Sequence, residues 1–419
     1  ISKENFFDVP WINDLKIRGN WGRLGNSSIG DWDYIGTINQ SIVTVFGGAI
    51  NSGAAQVKLV NAGLLWETKE TVNVGLDQRL TFSAEYYNSK TNDVLAETPI
   101  AISTGNQGGS PWKNAASLRN KGFEFTLGWK DQVSDFKYSA LLNVTTIDNE
   151  VLSLGRDGSR RDYIDSGQAR TRPGHSLAEF YLRQTDGLFR TQQEIDEYVT
   201  KGTHVPEGTE NKVEAGTPIL INGKRPQLGD VKYLDLNDDG QITDKDRDYC
   251  GSPWAKMQMS LVFNAEWKDF DFSMMWNGQF GNKVFNVARW QGRLFSDNSN
   301  YIRFKSGEEP YQINPNSNTP RIIYGDDRNS VQSDRFLENG SYFRMKNISV
   351  GYNFRQKWLA NLGIEKLRLY ATGSNLITLT GYSGLDPDFK GVNSVWNSGT
   401  DSFAYPNMRS VMFGLDLTF

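Results

Sequence analysis

The chain has 419 residues, 41 of them glycine, with 38% hydrophobic and 12% aromatic residues and a formal net charge of −4. It holds no run of 18 apolar residues, which excludes a transmembrane helix, and no basic tail, which with the acidic balance argues against general nucleic-acid binding. Cys250 is the single cysteine, so neither an intrachain disulfide nor a cysteine zinc cluster can form. The mean hydropathy of −0.54 leaves a membrane open, because barrel strands alternate and each gives a weak hydropathy signal.

The chain opens on Ile1-Ser2-Lys3-Glu4-Asn5, neither a signal peptide nor a domain start, so preceding sequence is expected. From there the dominant signal is period-2 alternation. Leu15, Ile17 and Trp21 mark a first strand, and Val72, Val74 and Leu76 a second. Leu80, Phe82, Ala84 and Tyr86 alternate with Thr81, Ser83 and Glu85; Phe123, Phe125, Leu127 and Trp129 alternate with Glu124, Thr126 and Lys130. Tyr138 to Val144, Met257 to Trp267 and Phe270 to Trp276 repeat the pattern. So do Ile348 to Phe354, Leu367 to Ala371 and Val411 to Phe419, which makes ten strands.

The connections alternate in length. Residues 26–68, 90–119, 147–255, 281–340 and 375–408 are long and polar; 77–79, 131–135, 268–269 and 355–363 are short. A meander with long loops at one end and tight turns at the other predicts an all-β fold, an antiparallel transmembrane β-barrel. A soluble sandwich has no reason to keep that parity. Leu369 and Leu415 then face lipid, Arg368 and Asp416 face a wet lumen, and Trp21, Trp129, Trp267, Trp276 and Phe419 suit interfacial girdles. Ten strands leave two edges that lipid does not permit, so more strands are expected before Ile1.

Asp235-Leu236-Asn237-Asp238-Asp239-Gly240-Gln241-Ile242-Thr243-Asp244-Lys245-Asp246 fits an EF-hand calcium loop. Asp235, Asn237 and Asp239 stand at positions 1, 3 and 5, Gly240 at the turn, and Gln241 offers its carbonyl. Thr243 stands at position 9. Asp246 replaces the usual bidentate Glu at position 12, which weakens affinity. A structural calcium ion is the expectation, and a solvated acidic turn the plainer alternative. The loop lies in the largest insertion, 147–255. His175 and His204 are the only histidines, and neither Gly-x-Ser-x-Gly nor His-Glu-x-x-His occurs, so no catalytic residue is assigned.

Several segments together resemble one family. Tyr405-Pro406-Asn407-Met408-Arg409-Ser410, running into Phe413-Gly414-Leu415-Asp416-Leu417-Thr418-Phe419, is similar to the last strand of the SusC/RagA-type TonB-dependent transporters. Phe336 to Asn347, Leu369-Tyr370 with Gly373-Ser374-Asn375-Leu376, Tyr382 to Pro387, and Leu228 to Tyr233 resemble further family segments in the same order. The resemblance covers nearly the whole chain, read as the C-terminal part of the barrel over 1–419.

It implies a barrel of 22 strands, about twelve of them before Ile1, with an N-terminal plug, energised by TonB. It also implies a SusD-like surface lipoprotein over the extracellular mouth. The turn Asp77-Gln78-Arg79 is tighter than the family's connection, which carries an Asn-rich insertion. The function so implied is import of large nutrients, oligosaccharides first and oligopeptides second. Trp32, Tyr34, Trp112, Trp290, Phe295, Trp396 and Tyr405 are the candidate ligand contacts, because flat aromatic faces stack on sugar rings. A passive outer-membrane barrel and a soluble calcium-binding β-adhesin are the alternatives.

Overall fold

The computed structural model describes residues 15–27, 29, 36, 38–56, 63–78, 81–97, 112–155, 162–206, 212–292, 303–354, 359, 363–389 and 394–419. Ten strands follow one another as hydrogen-bonded neighbours in chain order. They are β1 (Leu15–Asn26), β2 (Glu67–Gln78), β3 (Thr81–Glu97), β4 (Trp112–Val133) and β5 (Phe136–Thr146). After the largest connection come β6 (Met257–Trp267), β7 (Phe270–Phe280), β8 (Tyr342–Phe354), β9 (Lys366–Ser374) and β10 (Ser410–Thr418). Every predicted strand is present. The chain divides into two compact units, the first Ile1–Ile164, Thr171–Leu177 and Met257–Ser273, the second the remainder.

In the first unit, β1 to β6 pair antiparallel, with Leu15 opposite Gln78 and Val133 opposite Phe136 as examples of the register. The short connections are tight because a single residue in each takes the left-handed conformation: Ser134 at φ +53° and Lys268 at φ +54°. Residues 79–80 of the short turn before β3 lie outside the described residues. On one face of these strands Ile17, Trp21, Val72, Val74, Phe123, Phe125, Leu127 and Trp129 are all exposed. The other face is polar. Arg18 pairs with Glu85 at 3.3 Å, directly across Gly75 on the strand between them, where any side chain would crowd the ion pair.

Two expectations about connections need correction. Residues 90–119 are not all loop: β3 continues to Glu97 and β4 already begins at Trp112. Alternation hides this extension because Lys90, Thr91, Asn92, Asn120 and Lys121 put polar residues on both faces, although Val94, Ala116 and Leu118 are buried among them. Asp93, at φ +56°, sits in the register shift between Thr91 and Val94 that lets the two strands keep pairing. Beyond Thr146 the chain turns back onto β4, with Asp148–Leu154 pairing from Lys121 to Ala116. Connection 26–68 also holds structure, a hairpin of Ile38–Phe46 with Ala49–Gln56 closed by Gly47-Gly48.

In the second unit, β8 to β10 pair antiparallel from Asn347 opposite Ser374 and from Lys366 opposite Thr418. The long connections carry their own small sheets. Arg247–Gly251, Glu179–Arg183, Ala169–Thr171 and Ile164–Ser166 form one of them. A short helix, Gln192–Asp196, starts on a capping box in which Thr191 and Glu194 satisfy each other's backbone N–H.

These connections hold hydrophobic cores. Leu188, Phe189, Ile195, Ile219, Ile221, Val231, Tyr233 and Ile242 make one, and Phe180, Leu182, Phe285, Val287 and Phe336 another. Asp230, fully buried beside the first core, is held by Arg321, by Arg328 at 3.5 Å and by Asn329 at 2.9 Å. Asp326 pairs with both arginines.

Candidate functional site

Asp235 to Asp246 folds as an ordered loop between the strands Val231–Tyr233 and Arg247–Gly251. Gly240, at φ +77°, makes its sharp turn, and Asp238 also takes the left-handed conformation at φ +58°. The Asp235 carboxylate accepts the N–H of Asp239 at 3.1 Å and of Gly240 at 2.8 Å. The Asn237 side chain accepts from the Asp239 N–H at 3.1 Å and donates to the Asp239 carboxylate at 2.9 Å. Asp239 in turn accepts the Gln241 N–H at 2.8 Å.

Asp246, fully buried, accepts the N–H groups of Leu236 at 3.0 Å and Thr243 at 2.7 Å, closing a capping box around the 3-10 turn Asp244–Asp246. Ile242 is buried in the neighbouring core and pairs in parallel with Ile221. That pairing anchors the loop, which therefore does not stand isolated.

Burial pushes the Asp235 carboxyl up to about 6. The Gly240 N–H moderates the rise, and the neighbouring Asp246 and Asp239 add to it. Burial likewise raises Asp246. The loop therefore holds more negative charge than its surroundings favour. Against a ready-made ion cage, its carboxylates are already engaged with backbone N–H groups. Among the described residues no three His, Cys, Asp or Glu side chains gather as a metal cluster.

Asp238 is a residue that sequence reasoning passed over. Its carboxylate oxygens accept the N–H groups of Lys201 and Gly202, each at 2.8 Å, while the His204 Nε2 lies 3.2 Å from the Asn237 carbonyl. Its place outside the ligand pattern, at a charged even position, was the only signal.

The loop aromatics scatter. Trp32, Tyr34 and Phe295 lie outside the described residues. Trp112 is half-buried at the start of β4, opposite Glu97. Trp290 is half-buried, packs on the core at Phe285 and donates its Nε1–H to the Ser330 carbonyl at 2.8 Å. Trp396 needs correction as an open stacking face, because it is only 3% exposed. The reason is a 3-10 turn over Val395–Asn397, capped by Ser394, which draws the ring inward.

Tyr405 alone is widely open, at 82%, followed by an anchored Asn407 whose N–H and side chain donate to Asp386 at 2.8 and 3.0 Å. Phe403, exposed and at φ +58°, stands two residues before it and left no mark in the sequence.

Comparison with known proteins supplies the frame for this geometry. The family described as TonB dependent receptor-like, beta-barrel matches residues 7–218, just over half of the chain. The chain belongs to that family. TonB-dependent receptor P3 of Formosa agariphila is 30% identical over 100% of the chain and 41% of its own length. TonB-dependent receptor SusC of Bacteroides thetaiotaomicron is 28% identical over 100% of the chain and 39% of its own length.

The chain thus spans about two-fifths of the curated relatives it matches. A structure of the RagAB peptide transporter aligns over 100% of the chain and 42% of its own, with a TM-score of 0.72 at 19% identity. The RagAB peptide importer in its closed-closed state gives 0.74 at 20% identity, with the same coverage. The SusC/RagA resemblance and the barrel fold are both met. Among its described residues this TonB-dependent receptor barrel segment has no helix long and apolar enough to cross a membrane.

Proposed function

We propose that the chain forms part of the wall and extracellular loop layer of a TonB-dependent outer-membrane importer for large nutrients, working beneath a SusD-like lipoprotein. The observation that carries this reading is the exposed apolar face of the barrel strands joined to alternately long and short connections. Such a face is stable only in lipid, and loops of this size exceed what turn-making needs. Energy comes from TonB through a plug that the relatives' greater length leaves room for.

Oligosaccharides are the first substrate reading. Oligopeptides are the second, supported by the similarity to the RagAB peptide transporter and importer. Gentle detergent extraction of the native full-length protein should bring down a lipid-anchored second protein. Uptake of one of the two substrate classes should stop when either gene is deleted. Recovery of the barrel alone, with both uptakes intact after deletion, would contradict the reading.

We also propose that Asp235, Asn237, Asp239, the Gln241 carbonyl, Thr243 and Asp246 hold one structural calcium ion. All are hard oxygen donors at the loop's ligand positions. The ion would neutralise three acidic residues and brace a long extracellular loop. Titration of the full-length protein with calcium should give one site with a dissociation constant of about 10⁻⁴–10⁻³ M, the range of extracellular modules. The site should disappear in Asp235→Asn. Equal calcium binding by both proteins would remove the assignment.

A further inference from the structure

Alternation of apolar and polar residues fixes strand pairing only to within two residues, since a two-residue slip restores both faces. Ten strands of similar pattern need something more. On the polar face of β9, Tyr370 lies opposite Gly351 of β8 on one side and Gly414 of β10 on the other. A Cβ built on Gly414 would fall inside the Tyr370 phenol, so the ring lies flat across that glycine. The Arg368 guanidinium sits 4.8 Å above the ring centre and reaches Asp416 at 3.3 Å, which holds the ring down from its other face.

We propose that Tyr370 is a register lock for β8, β9 and β10, a positioning residue that selects one pairing out of those the alternation allows. In the observed register the ring has a glycine on each flank. A slip of two residues between β9 and β10 would set Met412 or Asp416 opposite it. The same slip between β8 and β9 would set Ser349 or Asn353 there. Met412 or Asp416 would occupy the space the ring fills over Gly414, and either slip breaks the Arg368–Asp416 pairing or the glycine flank. Aromatic side chains that cover a cross-strand glycine pin register for this reason.

A tyrosine also faces a glycine in the first unit, where Tyr87 lies opposite Gly122, but there the Thr146 backbone carbonyl fills the space a Cβ would take and the Tyr87 hydroxyl donates to that carbonyl at 2.9 Å. That glycine admits the carbonyl where β4 exchanges its partner β5 for Asp148–Leu154.

The test is disulfide cross-linking in the full-length protein carrying Cys250→Ser. Cysteines are placed at Ala371 with Phe413, the observed pair, or at Ala371 with Val411 or Leu415, the slipped pairs. Only the Ala371–Phe413 pair should link when Tyr370 is present. Tyr370→Ala should raise slipped links roughly fivefold, the ratio given by an aromatic cross-strand pair worth about 1 kcal/mol.

Gly414→Val should lower the folded fraction when Tyr370 is present and do less harm when combined with Tyr370→Ala. A generic loss of packing would make the double variant worse than either single one. The proposal fails if Tyr370→Ala leaves slipped links at background. It fails equally if Gly414→Val does the same damage with and without Tyr370→Ala.

Discussion

The barrel strands and the connections that join them are built on opposite rules. On the strands the large hydrophobic side chains point outward: Trp21, Phe123, Leu127, Leu369, Phe413 and Leu415 are all exposed. In the connections of the second unit they point inward, with Phe180, Phe189, Phe285, Leu182 and Tyr233 nearly or fully buried. The same residue types are therefore solvated by two media. A Phe stabilises a connection by leaving water for protein, and a strand by leaving water for lipid. Polar residues follow the same inversion. Asp230 is buried among arginines in the connections, whereas Asp416 stands on a strand with its side chain 55% exposed beside Arg368.

The largest effect should come where a buried charge loses its partner. Asp230→Ala leaves Arg321 and Arg328 short of a shared carboxylate and should destabilise the connection layer by about 3–5 kcal/mol. Hydrogen exchange at Val231–Tyr233 in the full-length protein would report it. Unchanged protection would place the organising charge elsewhere.

Next in size is a matched pair of phenylalanines. Phe285→Ala should cost about 3–5 kcal/mol in any medium, because it opens a cavity in a packed core. Phe413, which is 84% exposed, meets only its surrounding medium. Phe413→Ala should therefore lose stability in bilayers and much less in a short-chain detergent that covers the strands poorly. Equal losses at both positions in both media would erase the distinction between the two regions.

Acid gives a smaller effect. The Arg328 side chain beside Asp326 holds that carboxyl below the ordinary aspartate value of 3.8. A carboxyl lowered on folding contributes stability that is present above its unfolded value and lost as pH falls through the folded one. The connection layer should therefore loosen below about pH 4, and near-ultraviolet circular dichroism of the full-length protein would follow that loss. Smallest of all should be Arg368→Gln at neutral pH. Its exposed pairing with Asp416 is worth at most about 1 kcal/mol, and high salt should reduce that further.

The two regions also differ in how far the sequence could be read. The strands were legible because lipid on one side and water on the other impose strict alternation, as along Leu367–Ser374. That rule lapses where polar residues stand on both faces, so the continuation of β3 through Asn92 to Glu97 carried no signal. In the connections, Asp230 meets Arg321 across 91 residues of chain, a contact that no local pattern announces. Trp396 was read as an open stacking face on a long loop, yet the 3-10 turn Val395–Asn397, capped by Ser394, buries it. The loop Asp235 to Asp246 was readable in its glycine turn at Gly240. Its grip on Lys201 and Gly202 through Asp238 was not, because that grip joins segments far apart in sequence.

The most direct test of the inside-out assignment compares two arginines placed three residues apart on β9. Leu369 belongs to the exposed apolar face and Thr372 to the polar face, where its hydroxyl meets Ser349 at 3.4 Å. The folded, heat-modifiable fraction of full-length Leu369→Arg and Thr372→Arg should be measured in outer membranes at equal expression. An arginine turned to lipid near the midplane costs roughly 2–4 kcal/mol, so Leu369→Arg should assemble poorly while Thr372→Arg assembles nearly as the parent does. Equal assembly of the two, or the reverse order, would contradict the orientation on which the membrane reading rests.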